Sequence, residues 1–148
     1  MRLTKFILPV AAVSLLMMTS CKKELDLDSD NYYSVRDFEK STNVQADCGE
    51  KADCEGKTVR LTGRIDGDNI NRETHVFWLN DEDNSKFTIE IKVEPSISDA
   101  VFDMIETEGG KKAKVKGIAE GFDKPTNYQC EREIYLIVFD PADVELLK

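Results

Sequence analysis

The chain has 148 residues, 41% hydrophobic and 33% charged, with 20 basic against 29 acidic side chains and a net charge of −9. That length suits one domain with a real core better than two, and so acidic a surface repels nucleic acid and anionic lipid headgroups. A single histidine, His75, and four cysteines bound the chemistry on offer.

Met1 to Ser20 carries no acidic residue. Arg2 and Lys5 open it, an apolar run from Phe6 to Met18 follows, and small polar Thr19-Ser20 closes it. That is the order of a secretory signal, and the run is short for a spanning helix. With Cys21 next, Met18-Thr19-Ser20-Cys21 resembles the lipobox of bacterial lipoproteins, with Met where Leu is usual. The resemblance implies diacylglycerol on the Cys21 sulfur, cleavage before it and acylation of the new amino terminus. It also implies a membrane as partner, and residence in the envelope of a Gram-negative bacterium, lipid-anchored to the outer membrane and facing either side of it. Several acyl chains hold far more firmly than one, at about 0.8 kcal/mol per buried CH₂. An ordinary secretory signal with an incidental cysteine is the alternative. Without Arg2 and Lys5, 18 basic residues face 29 acidic ones, a net charge of −11.

Residues 21–33 read as a flexible acidic linker, since "KKELDLDSD" holds two leucines among charges. The same acidity resembles the surface-export signals of some lipoproteins; simple solvation explains it equally well. A calcium-binding arm is a further alternative at 26–37, where Asp26, Asp28, Asp30 and Asp37 take places 1, 3, 5 and 12 of an EF-hand-like loop. It departs from that pattern at Asn31, where a glycine is expected, and no helix precedes it. Residues 34–55 form an amino-terminal arm. Within it Ser34 to Val44 predicts a short helix, capped by Ser34 and Asp37 and anchored by Phe38, and "DCGEKADCEGK" predicts a loop.

From Thr58 the period becomes two. "TVRLTGRI" puts Val59, Leu61 and Ile65 on one face, with Gly63 mid-strand, and "HVFWLN" sets Phe77 and Leu79 opposite Val76 and Trp78. "DEDNS" is a hairpin loop, and "FTIEIKV" sends Phe87, Ile89, Ile91 and Val93 inward. After Pro95, "SISDAVFDMIETEGG" predicts a helix with a Ser96/Asp99 capping box and an apolar stripe of Ile97, Val101, Met104 and Ile105. "KAKVKGIAEGF" returns to strand with Gly117 inside it. "DKPTNYQCERE" predicts a loop and "IYLIVF" a strand apolar enough to be buried on both faces. "ADVELL" adds a turn or a last edge pairing.

Three strands, a helix and two strands is the order of a five-stranded Greek-key OB-fold barrel, an all-β fold with one helix between strands three and four. The stretches "VRLTGRI", "FWLNDEDNSKFTIEI", "KVKGIAEGF" and "IYLIVFDPADVEL" together resemble the nucleic-acid-binding, anticodon-type OB-fold superfamily, over residues 56–148. An immunoglobulin-like sandwich needs about seven strands and no central helix, which fits less well. The resemblance implies a ligand face across the second and third strands, carrying Trp78, Thr88, Glu90 and Lys92. "DGDNINRETH" and "DKPTNYQCERE" would border it, and Tyr128 in the later loop would supply a second ring. Trp78 is the sharpest candidate for stacking; covering the barrel bottom or packing under the arm is the alternative.

No enzyme is expected. His75 has no obvious nucleophile partner, no Gly-x-Ser-x-Gly or Gly-rich phosphate loop occurs, and Glu131 and Glu133 read as a solvated loop. No cofactor and no resident metal are expected beyond the calcium alternative. Lys112, Lys114 and Lys116, with Lys111 beside them and Arg60 and Arg64 nearby, make the one basic ladder, better explained by solvation or edge protection than by a phosphate backbone. The function expected is a non-catalytic binding or assembly module, its partner an envelope protein or a small ligand. Single-stranded nucleic acid or an oligosaccharide is the alternative, nucleic acid being disfavoured by charge.

Export to an oxidising compartment predicts one disulfide among Cys48, Cys54 and Cys130, with one thiol left over. In the barrel the first and fourth strands pair antiparallel, which brings Cys54 and Cys130 toward one end. A Cys54–Cys130 bridge is therefore expected ahead of Cys48–Cys130, with Cys48–Cys54 as the rival.

Overall fold

A computed structural model describes residues 24–41, 48–127 and 129–148. The expected signal segment, Cys21, Val44 and Tyr128 lie outside the described residues. The elements in chain order are β1 (Tyr33–Ser34), α1 (Val35–Ser41), β2 (Thr58–Asn71), β3 (Val76–Asn80), β4 (Thr88–Val93), α2 (Ser98–Ile105), β5 (Lys112–Pro125), β6 (Cys130–Val138) and β7 (Val144–Leu146). The fold is all-β with two short helices, and the seven strands form one sheet ordered β1-β2-β3-β4-β6-β5-β7. Among the described residues no helix is long and apolar enough to cross a membrane.

An additional β2–β5 pairing joins the sheet back on itself. The first half of β2 pairs antiparallel with β5, from Thr58↔Ile118 to Arg64↔Lys112, as the expected pairing of those segments required. Its second half pairs with β3, across an irregularity between Ile65 and Ile70. β3 and β4 are antiparallel, β4 and β6 parallel, and β5 and β6 antiparallel. Period-two side chains follow this pairing inward. Val59, Leu61, Ile65, Phe77, Leu79, Ile89, Ile91 and Val93 are buried, as their alternation predicted. α2 closes one end, its Phe102 meeting Phe77 edge-on at 6.4 Å between ring centroids.

Several local expectations are corrected. The segment expected to be a loop from Asp123 to Glu133 is mostly strand, because β5 runs to Pro125 and β6 starts at Cys130. Likewise β2 continues to Asn71, through much of the stretch expected to be the first border loop. The Ser96/Asp99 capping box does not form. Pro95–Ile97 is a 3₁₀ turn capped by Glu94, which accepts from the Ser96 N–H at 2.8 Å. Ser34 caps α1 as expected, accepting from the Asp37 N–H at 3.0 Å.

The disulfide is Cys48–Cys130, with Cα atoms 5.6 Å apart, in place of the expected Cys54–Cys130 bridge. Ile118 lies opposite Thr58, yet Cys130 pairs with Pro125, seven residues farther along β5. At about 3.3 Å per residue, that carries Cys130 roughly 20 Å past the start of β2. Cys54, four residues before Thr58, sits fully buried in the core, whereas Cys130 is exposed on the outlying hairpin within reach of Cys48.

Candidate binding groove

β4 and β6 stay paired only from Val93↔Val138 to Glu90↔Tyr135. Beyond that point they part, β4 following β3 to Asn80↔Thr88 and β6 following β5 to Pro125↔Cys130. The wedge between them holds a cavity of about 580 Å³, a size typical of ligand sites. Trp78, Thr88 and Glu90 line it, as the expected site did, and Glu131, Arg132 and Tyr135 form the opposite wall.

Trp78, Glu90 and Tyr135 form one row across three strands, each opposite the next in the register. Leu136 and Val138 point into the core, so period two places Tyr135 on the outer face. Phe122 lies beside it with ring centroids 6.0 Å apart. Lys92, expected on the same face, is not among the residues lining the cavity; its ammonium lies 3.6 Å from the Tyr135 ring centroid and 3.5 Å from the Glu90 carboxylate. That is cation–π geometry, so Lys92 is held by an aromatic ring and an acid together.

α1 supplies the third wall. Glu39 lies close enough to the Thr88 backbone N–H for that donor to favour its charged form. On the same edge of β4, the Glu94 N–H donates to the Val138 carbonyl of β6 at 3.0 Å. Where β6 has departed, the Glu39 carboxylate takes the place of that strand. Burial pushes its carboxyl up to about 7, and the nearby Asp81 charge adds to this against the pull of the Thr88 donor.

Asp81, 5% exposed, ties α1 to the β3–β4 turn. It accepts from the N–H groups of Arg36 at 3.0 Å and of Asp83 and Asn84 at 3.1 Å. Burial alone would raise its carboxyl; these donors outweigh it and hold the carboxyl below its ordinary value.

The β5–β6 hairpin is braced by an arginine cluster. Arg132 binds Glu55 twice, at 2.9 and 2.7 Å, and Asp123 at 2.8 Å. Hydrogen bonds from Arg132 hold the Glu55 and Asp123 carboxyls below the usual range, and the disulfide ties the same hairpin to Cys48.

The basic ladder is consumed at home. Lys112 pairs with Glu82, Lys116 with Asp143 at 2.6 Å, and Lys114 lies over the Tyr32 ring. Arg60 and Arg64 stand directly opposite Lys116 and Lys112. In the proposed calcium arm, Asp30 pairs with Arg60 at 2.8 Å and Asp37 belongs to α1. Among the described residues no three His, Cys, Asp or Glu side chains converge as a metal site. Leu25 and Leu27, in the segment expected to be a spacer, pack against the core.

His75 does have a hydroxyl partner, contrary to expectation: its Nδ1 lies 2.7 Å from Ser98 Oγ. Ser98 is only 3% exposed, so the pair ties the β2–β3 turn to α2 with little access for a substrate. No protein-family model matches the chain, and no curated protein matches it.

Glu39, Phe122, Tyr135 and the Arg132 brace were not singled out in the sequence. Tyr135 was within reach of parity counting from "IYLIVF". Glu39 was not, because its position depends on where β6 leaves β4.

Proposed function

We propose that this protein is a lipid-anchored, non-catalytic binding module of the Gram-negative cell envelope, built on an OB-type barrel and using the β4–β6 wedge as its site. Support for the barrel comes from the ring β2-β3-β4-β6-β5, with its parallel β4–β6 pair and α2 between its third and fourth strands. The site rests on one observation above the others: the expected Trp78 face borders a real cavity, and two further rings, Phe122 and Tyr135, stand on it. The anchor rests on the Cys21 lipobox. Aromatic platforms flanked by carboxylates suit cations and sugars better than phosphates, so the nucleic-acid reading ranks below an oligosaccharide.

Both halves are testable on the full chain. Cys21→Ser should abolish incorporation of radioactive palmitate and release the protein from membranes; retained label overturns the anchor. Trp78 is the only tryptophan, so its fluorescence reports the groove directly. Envelope extract should change the emission of wild type and leave an unliganded control, Glu90→Lys, unmoved. Equal responses would place the binding elsewhere.

A further inference from the structure

Resting on the groove reading above, we propose that its ligand is an extended peptide segment rich in basic side chains, which adds as a strand to the open edge of β6. The edge comes first. The Val138 carbonyl accepts from β4, and at the hairpin end the Thr126 N–H donates to the Gln129 carbonyl at 2.8 Å. Strand alternation then turns odd-numbered backbone groups of β6 toward β5 and even-numbered ones toward the wedge. Pro125, opposite Cys130, falls at a non-hydrogen-bonded place where its missing N–H costs nothing. Past Glu90↔Tyr135, no strand is paired to this side of β6 among the described residues. The N–H and C=O groups of Cys130 and Arg132 therefore aim into the cavity, the template that an incoming strand requires.

This edge is also held ready. The Arg132 bonds to Glu55 and Asp123, and the Cys48–Cys130 bridge, fix the hairpin. A preformed edge lowers the ordering cost of binding.

Charge then selects the occupant. Four glutamates line the cavity, Glu39, Glu90, Glu131 and Glu133, with Arg132 as the one basic lining residue. Lys92 and Lys124 already pair with Glu90 and Glu133, and among the described residues no salt bridge engages Glu131. The Arg132 guanidinium is 13% exposed and already engaged by two carboxylates. Alternate side chains of an added strand would meet Glu131, Glu133 and the faces of Trp78 and Tyr135, which favours Lys and Arg there. A nucleic acid would bring phosphates to the same carboxylates. An oligosaccharide lacks the row of amides that completes a strand edge.

The full chain in detergent micelles, screened against a random octapeptide library, provides the test. Selected peptides should be enriched in Lys and Arg, and binding should shift the amide signals of Cys130, Arg132 and Ile134. N-methylating alternate amides of a selected peptide should weaken binding by roughly tenfold or more in one register and little in the other. Glu131→Gln with Glu133→Gln should weaken it several-fold, with amide signals far from the wedge unchanged to show intact folding. Indifference to both N-methyl registers, or selection without basic enrichment, overturns the proposal. Maltohexaose and a ten-nucleotide oligothymidylate run beside it. If either shifts the Trp78 and Tyr135 signals while no peptide does, the groove stands and the peptide falls. If nothing shifts them, both fall.

Discussion

Seven consecutive residue pairs join β2 to β5, whereas β4 and β6 hold four before they part. The two strands of the β2–β5 seam each carry a glycine that lets a further strand approach closely, β3 at Gly63 and β6 at Gly117. A Cβ on Gly63 would meet the Asn80 carbonyl oxygen and, at 2.8 Å, Leu79 Cγ; one on Gly117 would lie 2.8 Å from the Ile137 carbonyl oxygen. At the wedge, opening depends on substitutes for a lost strand: Glu39 for the Thr88 N–H, and a disulfide with an arginine cluster for the hairpin. Around the seam strands close packing relies on absent side chains, whereas the wedge relies on added partners. A wedge can thus open in the ring while the hairpin beside it is held in place.

The largest way to break this contrast is to remove the brace. Replacing Cys48 and Cys130 together by serine opens a link across 82 positions of sequence. The expected loss is up to about 4 kcal/mol if the bridge acts by constraining the unfolded chain. Urea unfolding should show the lower midpoint, and hydrogen exchange should accelerate at residues 121–134 far more than along the seam. Uniform acceleration would mean that the hairpin has no independent brace.

Gly63→Val and Gly117→Val attack the opposite region. Each forces a side chain against a neighbouring strand's backbone, at an expected cost of about 2–3 kcal/mol by overpacking. Unchanged urea midpoints for both would argue against the close approach of β3 to Gly63 and of β6 to Gly117. What these side chains would obstruct is the close approach of the neighbouring strands.

The smallest effect sharpens the wedge. Folding raises the Glu39 carboxyl from its ordinary 4.5 to about 7, so the folded chain holds that proton more tightly. The associated stability is present below about pH 4.5 and is lost as pH rises through 7. Allowing for solvent around a half-buried carboxyl, this amounts to about 1 kcal/mol. Glu55, Asp66, Asp81, Glu82 and Asp123 are all shifted downward, so their contribution is lost on acidification below about pH 4. Thermal midpoints should therefore peak near about pH 5 and decline toward pH 8. Glu39→Gln should flatten the decline; an unaltered slope would assign it to another group.

Sequence by itself determined the inward faces of the strands, because a period of two depends only on neighbouring residues and on which of them avoid water. Val59, Leu61, Phe77, Leu79, Ile89 and Ile91 were legible in this way, and so was the antiparallel pairing of the two glycine-bearing strands. Trp78, Thr88 and Glu90 were legible as an outer face. The tertiary structure alone decided how far each strand runs and where two of them separate. The "DKPTNYQCERE" segment is polar and turn-rich, yet it lengthens the hairpin because β5 offers it a ladder from Phe122 to Pro125. That length set the disulfide, moving Cys130 past Cys54 and toward Cys48. Glu39 became part of the groove for the same reason: its carboxylate lies close to an N–H that β6, by following β5, had left behind. Such competition between partners distant in sequence leaves no local period to read, so only the assembled sheet could resolve it.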